Sequence, residues 1–430
     1  MKKLFYIVLS SILLGIGTNG WAQNASSYQT ATWPGFRKCA ISYTFDDGCA
    51  NQFTKAIPMF DEYGYKLTLF TVTGWGPNWT KLQSAAKNGH EVANHTATHS
   101  NLSSATIAAQ KTDIETANNL INKNISFTQC VTMATPYCAK GNDSLAASYF
   151  IAVRGCQGFI EGKTPASFYN VSSIVCGNQG IIKTSDYKIK ANQAASSNGW
   201  LVYLIHEIDN GTGYSPLPSD TLRATLQYLS ENNSKFWVNT FGNVARYIKE
   251  RNCVSVSETS VQDTKITLEV TDTLSNNEIF NFPVTFRRLL PEGWNAIFAY
   301  QNGDSIHASI VEDNSVQYIQ FDAVPDGGTV KLSSKVLTGA KSTKWNSSLN
   351  QFDIWYQGSQ LMFLVPESCQ PNPTLSLYDL KGARLQTFNK LIISNGKGWV
   401  DFNRSNYETG IYLLTLCDQK NAWSKKLNLQ

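Results

Sequence analysis

Between residues 36 and 252, short apolar runs alternate with helical patterns, and this alternation limits the possible folds more than any other feature. The runs fall at 41–47, 67–73, 90–95, 129–135, 149–154, 201–206 and 235–240. Most are rich in Val, Ile, Phe, Tyr and Thr and are bounded by Gly, Asn or Asp, as strands are. Helical stretches lie between them at about 50–63, 80–88, 103–124, 219–231 and 242–251. In the clearest, 103–124, Ile107, Ile114, Ala117 and Ile121 share one face, and Ser103 is placed to cap the start. Strand and helix alternating over this length argue for a parallel sheet, either a closed βα barrel or a doubly wound fold.

The polar residues that stand out sit at the C-terminal ends of these runs. Asp46 and Asp47 end the first, and His95 and His99 follow the third. Pro136 and Tyr137 follow the fourth, Arg154 ends the fifth and His206 the sixth. In a βα barrel that face carries the chemistry. His90 begins its strand at the opposite end and reads as structural. His307 has no partner legible in the sequence.

Two adjacent carboxylates are costly to bury unless a cation or a proton accompanies them. Two histidines four apart, His95 and His99, can face one point from a single helical turn. Two neutral imidazoles and one carboxylate, with positions left for water or substrate, form a common catalytic metal set. Nitrogen and oxygen ligands in an exported chain favour zinc or another first-row divalent ion. Successive strand side chains alternate, so Asp46 and Asp47 cannot point the same way while the strand stays regular. One can then bind metal while the other acts as a base toward water acidified by the ion. His206 can protonate a leaving group, and the backbone N–H of Tyr137 can face a developing oxyanion. Together these parts describe hydrolysis of an ester or amide.

Thr44-Phe45-Asp46-Asp47-Gly48, Asn94-His95-Thr96-Ala97-Thr98-His99, Pro136-Tyr137 and Leu204-Ile205-His206, in that order, resemble the motifs of the polysaccharide deacetylases, the family 4 carbohydrate esterases. The resemblance covers about 36–252, including the closing stretch from Trp237 to Ile248. It implies a distorted (β/α) barrel. It further implies Asp46 as base, Asp47, His95 and His99 as metal ligands, His206 as acid, and Tyr137 as the oxyanion donor. Pro136, Arg154 and Trp237 would touch or orient the substrate or the base. The implied substrate is an acetylated poly- or oligosaccharide bearing N-acetyl or O-acetyl groups. The chain departs from the family at three points. Many members carry an arginine two residues before the motif proline, where this chain has Ala134. The glycine that usually follows Pro-Tyr is Cys138, and the acidic-Trp motif that buttresses the catalytic histidine is not evident. Arg154, at the end of the next strand, is the residue expected to substitute for the missing arginine.

The remaining features concern delivery and architecture. Lys2 and Lys3 precede an apolar stretch to about Ile16, and Gly20-Trp21-Ala22 offers a cleavage point, so residues 1–22 read as a secretory signal. No other segment is long enough to span a bilayer. Nine cysteines in an exported chain invite disulfides, with an odd one left over and the pairings unread. Cys49, beside the acidic pair, reads as a packing or disulfide residue, and no C-x-x-C pair suggests a zinc knuckle. A formal charge of +4 without a basic run gives nucleic-acid binding little support. Residues 256–337 show strand alternation and read as a β-sandwich, and a second all-β segment occupies 345–430. Leu377-Tyr378-Asp379-Leu380-Lys381-Gly382 and Gly410-Ile411-Tyr412-Leu413-Leu414 resemble the C-terminal sorting domains of type IX secretion cargo. That resemblance implies type IX secretion machinery as a partner and passage across the outer membrane.

The expectation is therefore a secreted or cell-surface, metal-dependent hydrolase. Two rivals remain: an amidohydrolase acting on a small non-sugar amide, and a carbohydrate-binding surface protein on a decayed barrel.

Overall fold

The computed structural model describes residues 28–335 without interruption. Beyond that it describes 354–357, 360–365, 369, 373–379, 383–388, 391–394, 397–407, 410–417 and 422–429. The expected signal segment, 1–22, lies outside the described residues, as do Leu380, Lys381 and Gly382 of the sorting motif.

After the short strand β1 (Gln29–Thr30), the chain builds a parallel sheet. Its strands are β2 (Cys39–Asp46), β3 (Thr68–Thr71), β4 (Glu91–Asn94), β5 (Thr132–Ala134), β6 (Ala152–Arg154), β7 (Ile174–Val175), β8 (Trp200–Ile205) and β9 (Phe236–Val238). The order across the sheet is β6-β5-β4-β3-β2-β8-β7, with β9 paired to β2 as well. Seven of these strands coincide with the seven apolar runs. Helices α1 (Ile57–Glu62), α2 (Trp79–Lys87), α3 (Ile107–Asn124), α4 (Asp143–Ala147), α5 (Thr184–Ser196), α6 (Ser219–Glu231) and α7 (Phe241–Cys253) connect them. The arrangement is a half-barrel of the (β/α) type.

β2 lies at the centre, and all eight of its residues are buried. Cys39, Ile41, Tyr43 and Phe45 pack into the core that contains Phe60, Tyr187, Leu222 and Leu226 of the helical layer. Strand alternation then turns Ala40, Ser42, Thr44 and Asp46 to the opposite, inner face. The inner core, with Trp33, Phe70, Val202, Phe241 and Tyr247, runs on without a break into the antiparallel sheets that follow.

Those sheets use β10 (Ser255–Gln262), β11 (Lys265–Thr271), β12 (Val284–Leu289), β13 (Phe298–Gln301), β14 (Asp304–Ile306), β15 (Ala308–Asp313), β16 (Val316–Ala323) and β17 (Val330–Ser333). Their orders are β1-β12-β16-β15 and β10-β11-β17-β13-β14. The segment ahead of the half-barrel thus joins the sheet behind it, with Gln29 opposite Arg287 and Thr30 opposite Phe286. Among the described residues nearer the C-terminus, eight more strands form two four-stranded antiparallel sheets around a separate core of Leu361, Phe363, Leu377 and Leu416. No helix of the described residues is long and apolar enough to cross a membrane.

Two local expectations need correction. α3 starts later than expected, because the Thr106 side chain, not Ser103, accepts the capping bond from the Ala109 amide. Ile107 is consequently exposed, while Ile114, Ala117 and Ile121 are buried. α5 carries no apolar stripe in its sequence, because its buried face is Tyr187, Ala191, Ala194 and Ala195, too small in the main to form one.

Candidate metal centre and active site

Strand alternation delivers Asp46 to the inner face, where it is 2% exposed. The chain then leaves the strand abruptly. Asp47 and Gly48 both have φ 72°, the left-handed region. This break lets two successive carboxylates converge on one space, which a regular strand forbids. Gln52 clamps the turn from beneath, its Nε2 donating to the carbonyl oxygens of Asp46 at 2.5 Å and His206 at 2.7 Å.

β4 places His95 at its end. His99 does not follow on a helical turn, contrary to expectation. It lies on a loop in which Thr96 (φ 61°) and His99 (φ 58°) are both left-handed. Asp113, buried on α3, holds that loop. Its Oδ1 accepts from the amides of Ala97 at 3.0 Å and Thr98 at 2.8 Å, and its Oδ2 from the hydroxyls of Thr98 at 3.0 Å and Ser100 at 2.5 Å.

The result is a three-ligand cluster. Ligand atoms of Asp47, His95 and His99 all lie within 4.8 Å of one another. Asp47 Oδ1 is 3.6 Å from His95 Nε2 and 3.5 Å from His99 Nε2. It is buried without a hydrogen-bond partner. Ligand atoms about 2.1 Å from one tetrahedral ion stand roughly 3.4 Å apart, so the spacing and the orphaned oxygen both fit a divalent cation. His95 Nδ1 faces the Ala134 carbonyl oxygen at 2.9 Å. Donation there fixes the tautomer that leaves Nε2 bare toward the cluster. Burial lowers His95 to about 4 and also lowers His99, so both rings are neutral at neutral pH. Burial, and then the charge of Asp46, raises Asp47 to about 6.

Asp46 stands beside this cluster with a different environment. Its Oδ2 is 3.8 Å from His95 Nε2 and 3.9 Å from His206 Nε2. Burial pushes its carboxyl up, but Arg154, His95 and His206 more than offset this and hold it below the usual carboxylate range. The Arg154 Nη2 donates directly to Asp46 Oδ2. Arg154 is 1% exposed at the end of β6, with its guanidinium 5.4 Å from the Phe70 ring centroid. In the sheet, Arg154 is the register partner of Ala134 on β5.

His206 follows β8, its Nε2 3.9 Å from Asp47 Oδ2. Its Nδ1 is buried without a hydrogen-bond partner, in keeping with the missing acidic buttress. Tyr137 has φ 55° and a ring centroid 4.6 Å from that of His99, and Pro136 before it is buried. Cys138 forms a disulfide with Cys156, tying the Tyr137 loop to the loop after Arg154, with Cα atoms 5.6 Å apart.

Asp46, Asp47, His95, His99, Pro136, Tyr137, Arg154 and His206 are therefore gathered at one end of the sheet. Trp237 is not. It sits on β9 opposite Ala40, at the end of β2 remote from Asp46. Its ring packs on Trp33, Tyr247 and Phe282, filling the core between the half-barrel and the antiparallel sheets. Asp113 and Gln52 are supports of the site that no motif in the sequence marks. Asp113 had one available signal, as a carboxylate on the buried face of α3 with Ile114 and Ala117.

Comparison with known proteins bears on this site. The polysaccharide deacetylase family model matches residues 35–153. The match takes in Asp46, Asp47, His95, His99 and Tyr137 and stops one residue short of Arg154. A gellan lyase from a Bacillus species is 27% identical over 334 residues, 73% of this chain. That stretch spans only 13% of the lyase. Among solved structures, the catalytic domain of a peptidoglycan N-acetylglucosamine deacetylase from Eubacterium rectale is 20% identical, covering 47% of this chain and 89% of that one, with a TM-score of 0.33. A family 4 acetyl xylan esterase from Clostridium thermocellum, in complex with a cobalt ion, is 19% identical, covering 48% and 89%, with a TM-score of 0.34.

Proposed function

We propose that this chain is an exported, metal-dependent deacetylase that hydrolyses acetyl groups on a carbohydrate. The observation that carries the reading is the pairing of the His95, His99 and Asp47 cluster with a second, ionised carboxylate that an arginine holds beside it. The family match to residues 35–153 supports it.

Asp47, His95 and His99 would hold the ion, with zinc favoured by the nitrogen and oxygen donors. When bound, a divalent ion supplies Lewis acidity toward an acetyl carbonyl and draws the pKa of water toward neutrality. Asp46, kept ionised and aimed by Arg154, accepts the proton of the attacking water. His206, across the Asp47 carboxylate from His99, donates a proton to the departing sugar oxygen or nitrogen. The Tyr137 backbone N–H serves the developing oxyanion. Delivery follows the signal-like residues 1–22 and the sorting-like C-terminus, which we read as directing export through a type IX route. A truncation lacking 350–430 that was released normally would sink that part.

Acetate release from acetylated xylan and from chitooligosaccharides, before and after chelation and after reloading with zinc, cobalt or nickel, tests the enzyme. Chelator-sensitive release supports it. The rival reading, a binding protein on a decayed site, draws on the unpartnered Nδ1 of His206. Absence of release by metal-loaded protein across both substrate classes would favour that rival.

A further inference from the structure

Two consecutive residues beside the metal cluster hold a conformation that neither prefers. Tyr137 has φ 55° and Cys138 has φ 57°, both in the left-handed region. A residue with a Cβ is strained there and stays only where its surroundings hold it. Cys138 stands where the linear motif usually has glycine, for which that region is free.

The turn itself offers little to hold it. Buried Pro136 fixes its entry, and the Ala139 amide donates to the Pro136 carbonyl oxygen at 2.9 Å. Beyond that, the Tyr137 ring is 68% exposed and Cys138 faces solvent.

The other end of the disulfide is firmly set. Cys156 comes two residues after buried Arg154, at the end of β6. The Gly155 between them donates its amide to the Val171 carbonyl oxygen at 2.8 Å and accepts from the Ser173 hydroxyl at 2.6 Å. A Cβ on Gly155 would meet Asn170 Oδ1 at 2.3 Å, so the backbone is closely packed there. The Arg154 carbonyl oxygen accepts from the Thr135 amide at 3.2 Å. The Thr135–Arg154 bond and the Cys138–Cys156 bridge are therefore two clasps between the same two segments, with Pro136 and Tyr137 between them.

We infer that the Cys138–Cys156 disulfide is a positioning device for the reaction. It holds Tyr137 and Cys138 in the left-handed turn, and so aims the Tyr137 N–H, by tying the turn to the fixed end of the strand that bears Arg154. The bridge supplies for a cysteine what conformational freedom supplies for a glycine. Cys138 and Cys156 touch no reacting atom and act through Tyr137. This inference rests on the deacetylase reading.

The test compares Cys138→Ser/Cys156→Ser with Cys138→Gly/Cys156→Ser in acetate release by zinc-loaded protein. Both variants lack the bridge and melt below the wild type, but only glycine takes the left-handed turn without strain. The serine pair loses at least about tenfold in kcat, as a displaced oxyanion donor does, with KM and zinc affinity within about twofold of the wild type. The glycine variant recovers most of that kcat without recovering Tm. Full kcat in the serine pair overturns the inference. So does a glycine variant as slow as the serine pair, or a loss of zinc affinity that accounts for the loss of rate. A second perturbation opens the bridge in the folded wild type with tris(2-carboxyethyl)phosphine. The phosphine becomes its oxide with oxygen from water, and the S–S bond becomes two thiols, confirmed by alkylation of Cys138 and Cys156. Reduction lowers wild-type kcat as the serine pair does and leaves the serine pair itself unchanged, while unaltered kcat in the reduced wild type overturns the inference. If the wild type releases no acetate, the deacetylase reading fails, and fluorine NMR of 3-fluorotyrosine-labelled protein decides the positioning separately. The Tyr137 resonance, assigned by Tyr137→Phe, shifts in the serine pair and returns in the glycine variant, whereas a resonance that stays in place in the serine pair overturns it.

Discussion

Replacing Arg154 tests the proposal that this arginine keeps Asp46 usable as the base. Arg154→Ala removes the donor to Asp46 Oδ2, and Asp46 Oδ1 already has none. A carboxylate 2% exposed would then keep no hydrogen bond from a protein donor. Breaking a buried charge pair in this way costs about 3–5 kcal/mol. For a unit the size of this half-barrel, that is a fall in Tm of about 6–20 °C, measured on metal-free protein. Activity should fall further than stability. A general base is worth about 10²–10⁴ in rate, so kcat on a well-accepted substrate should drop at least about 100-fold. Asp46→Asn should drop it as far.

The register suggests a rescue. Ala134 occupies the position where many polysaccharide deacetylases carry their arginine, and it pairs with Arg154 on the adjacent strand. In the double variant Arg154→Ala/Ala134→Arg, the guanidinium enters from β5 into volume vacated on β6. We expect recovery of at least about tenfold in kcat over Arg154→Ala, with part of the lost Tm. Full activity in Arg154→Ala would refute the positioning role outright. A folded double variant as inactive as the single one would refute the equivalence of the two strand positions.

Other perturbations test the supports around the centre. Asp113→Ala frees the loop that presents His99 and should weaken zinc binding about 10–100-fold, read by competition with a chromophoric chelator, while Asp113→Asn weakens it less. Cys138→Ser/Cys156→Ser releases a loop of 18 residues' separation and should cost about 3 kcal/mol in chemical denaturation. An unchanged midpoint would show that the loop is held without the bridge, by the Ser173 hydroxyl donating to the Gly155 carbonyl oxygen at 2.6 Å and the Gly155 amide donating to the Val171 carbonyl oxygen at 2.8 Å. Glu250 gives a pH dependence remote from the centre. Its Oε1 accepts from the Phe282 amide at 2.9 Å, its Oε2 has no partner, and burial raises its carboxyl from 4.5 to about 8. The folded state therefore keeps a proton that the unfolded state loses above pH 4.5, and stability falls by roughly 1.4 kcal/mol per pH unit until about pH 8. Glu250→Gln should remove that slope and raise Tm above pH 7, and an identical slope in the variant would exclude Glu250 as its source.

What was legible in the sequence, and what was not, divides on physical lines. β2 was legible because Cys39, Ile41, Tyr43 and Phe45 make one face wholly apolar while the other carries the small Ala40, Ser42 and Thr44, and its end was marked by Asp46, Asp47 and Gly48. The direction of Asp47 was not, because it depends on a left-handed residue that the sequence does not announce. The spacing of His95 and His99 suggested the right partnership through the wrong geometry, since four residues can close a distance by helix or by a doubly left-handed loop. Trp237 was misplaced because an aromatic in the closing motif looks the same whether it faces a substrate or fills a core. Asp113 and Gln52 were passed over for the converse reason. A polar residue on a helix ordinarily faces water, and only the packing of α3 and the turn after β2 makes each one a clamp. Arg154 lies between these cases. Its strand-end position was visible and the gap at Ala134 suggested its role, but the register of β5 with β6 was needed to show that the two positions are neighbours. An arginine can change strands and still reach the same carboxylate if the strands are adjacent and the positions in register, so in this fold its absence from a linear motif does not imply its absence from the site.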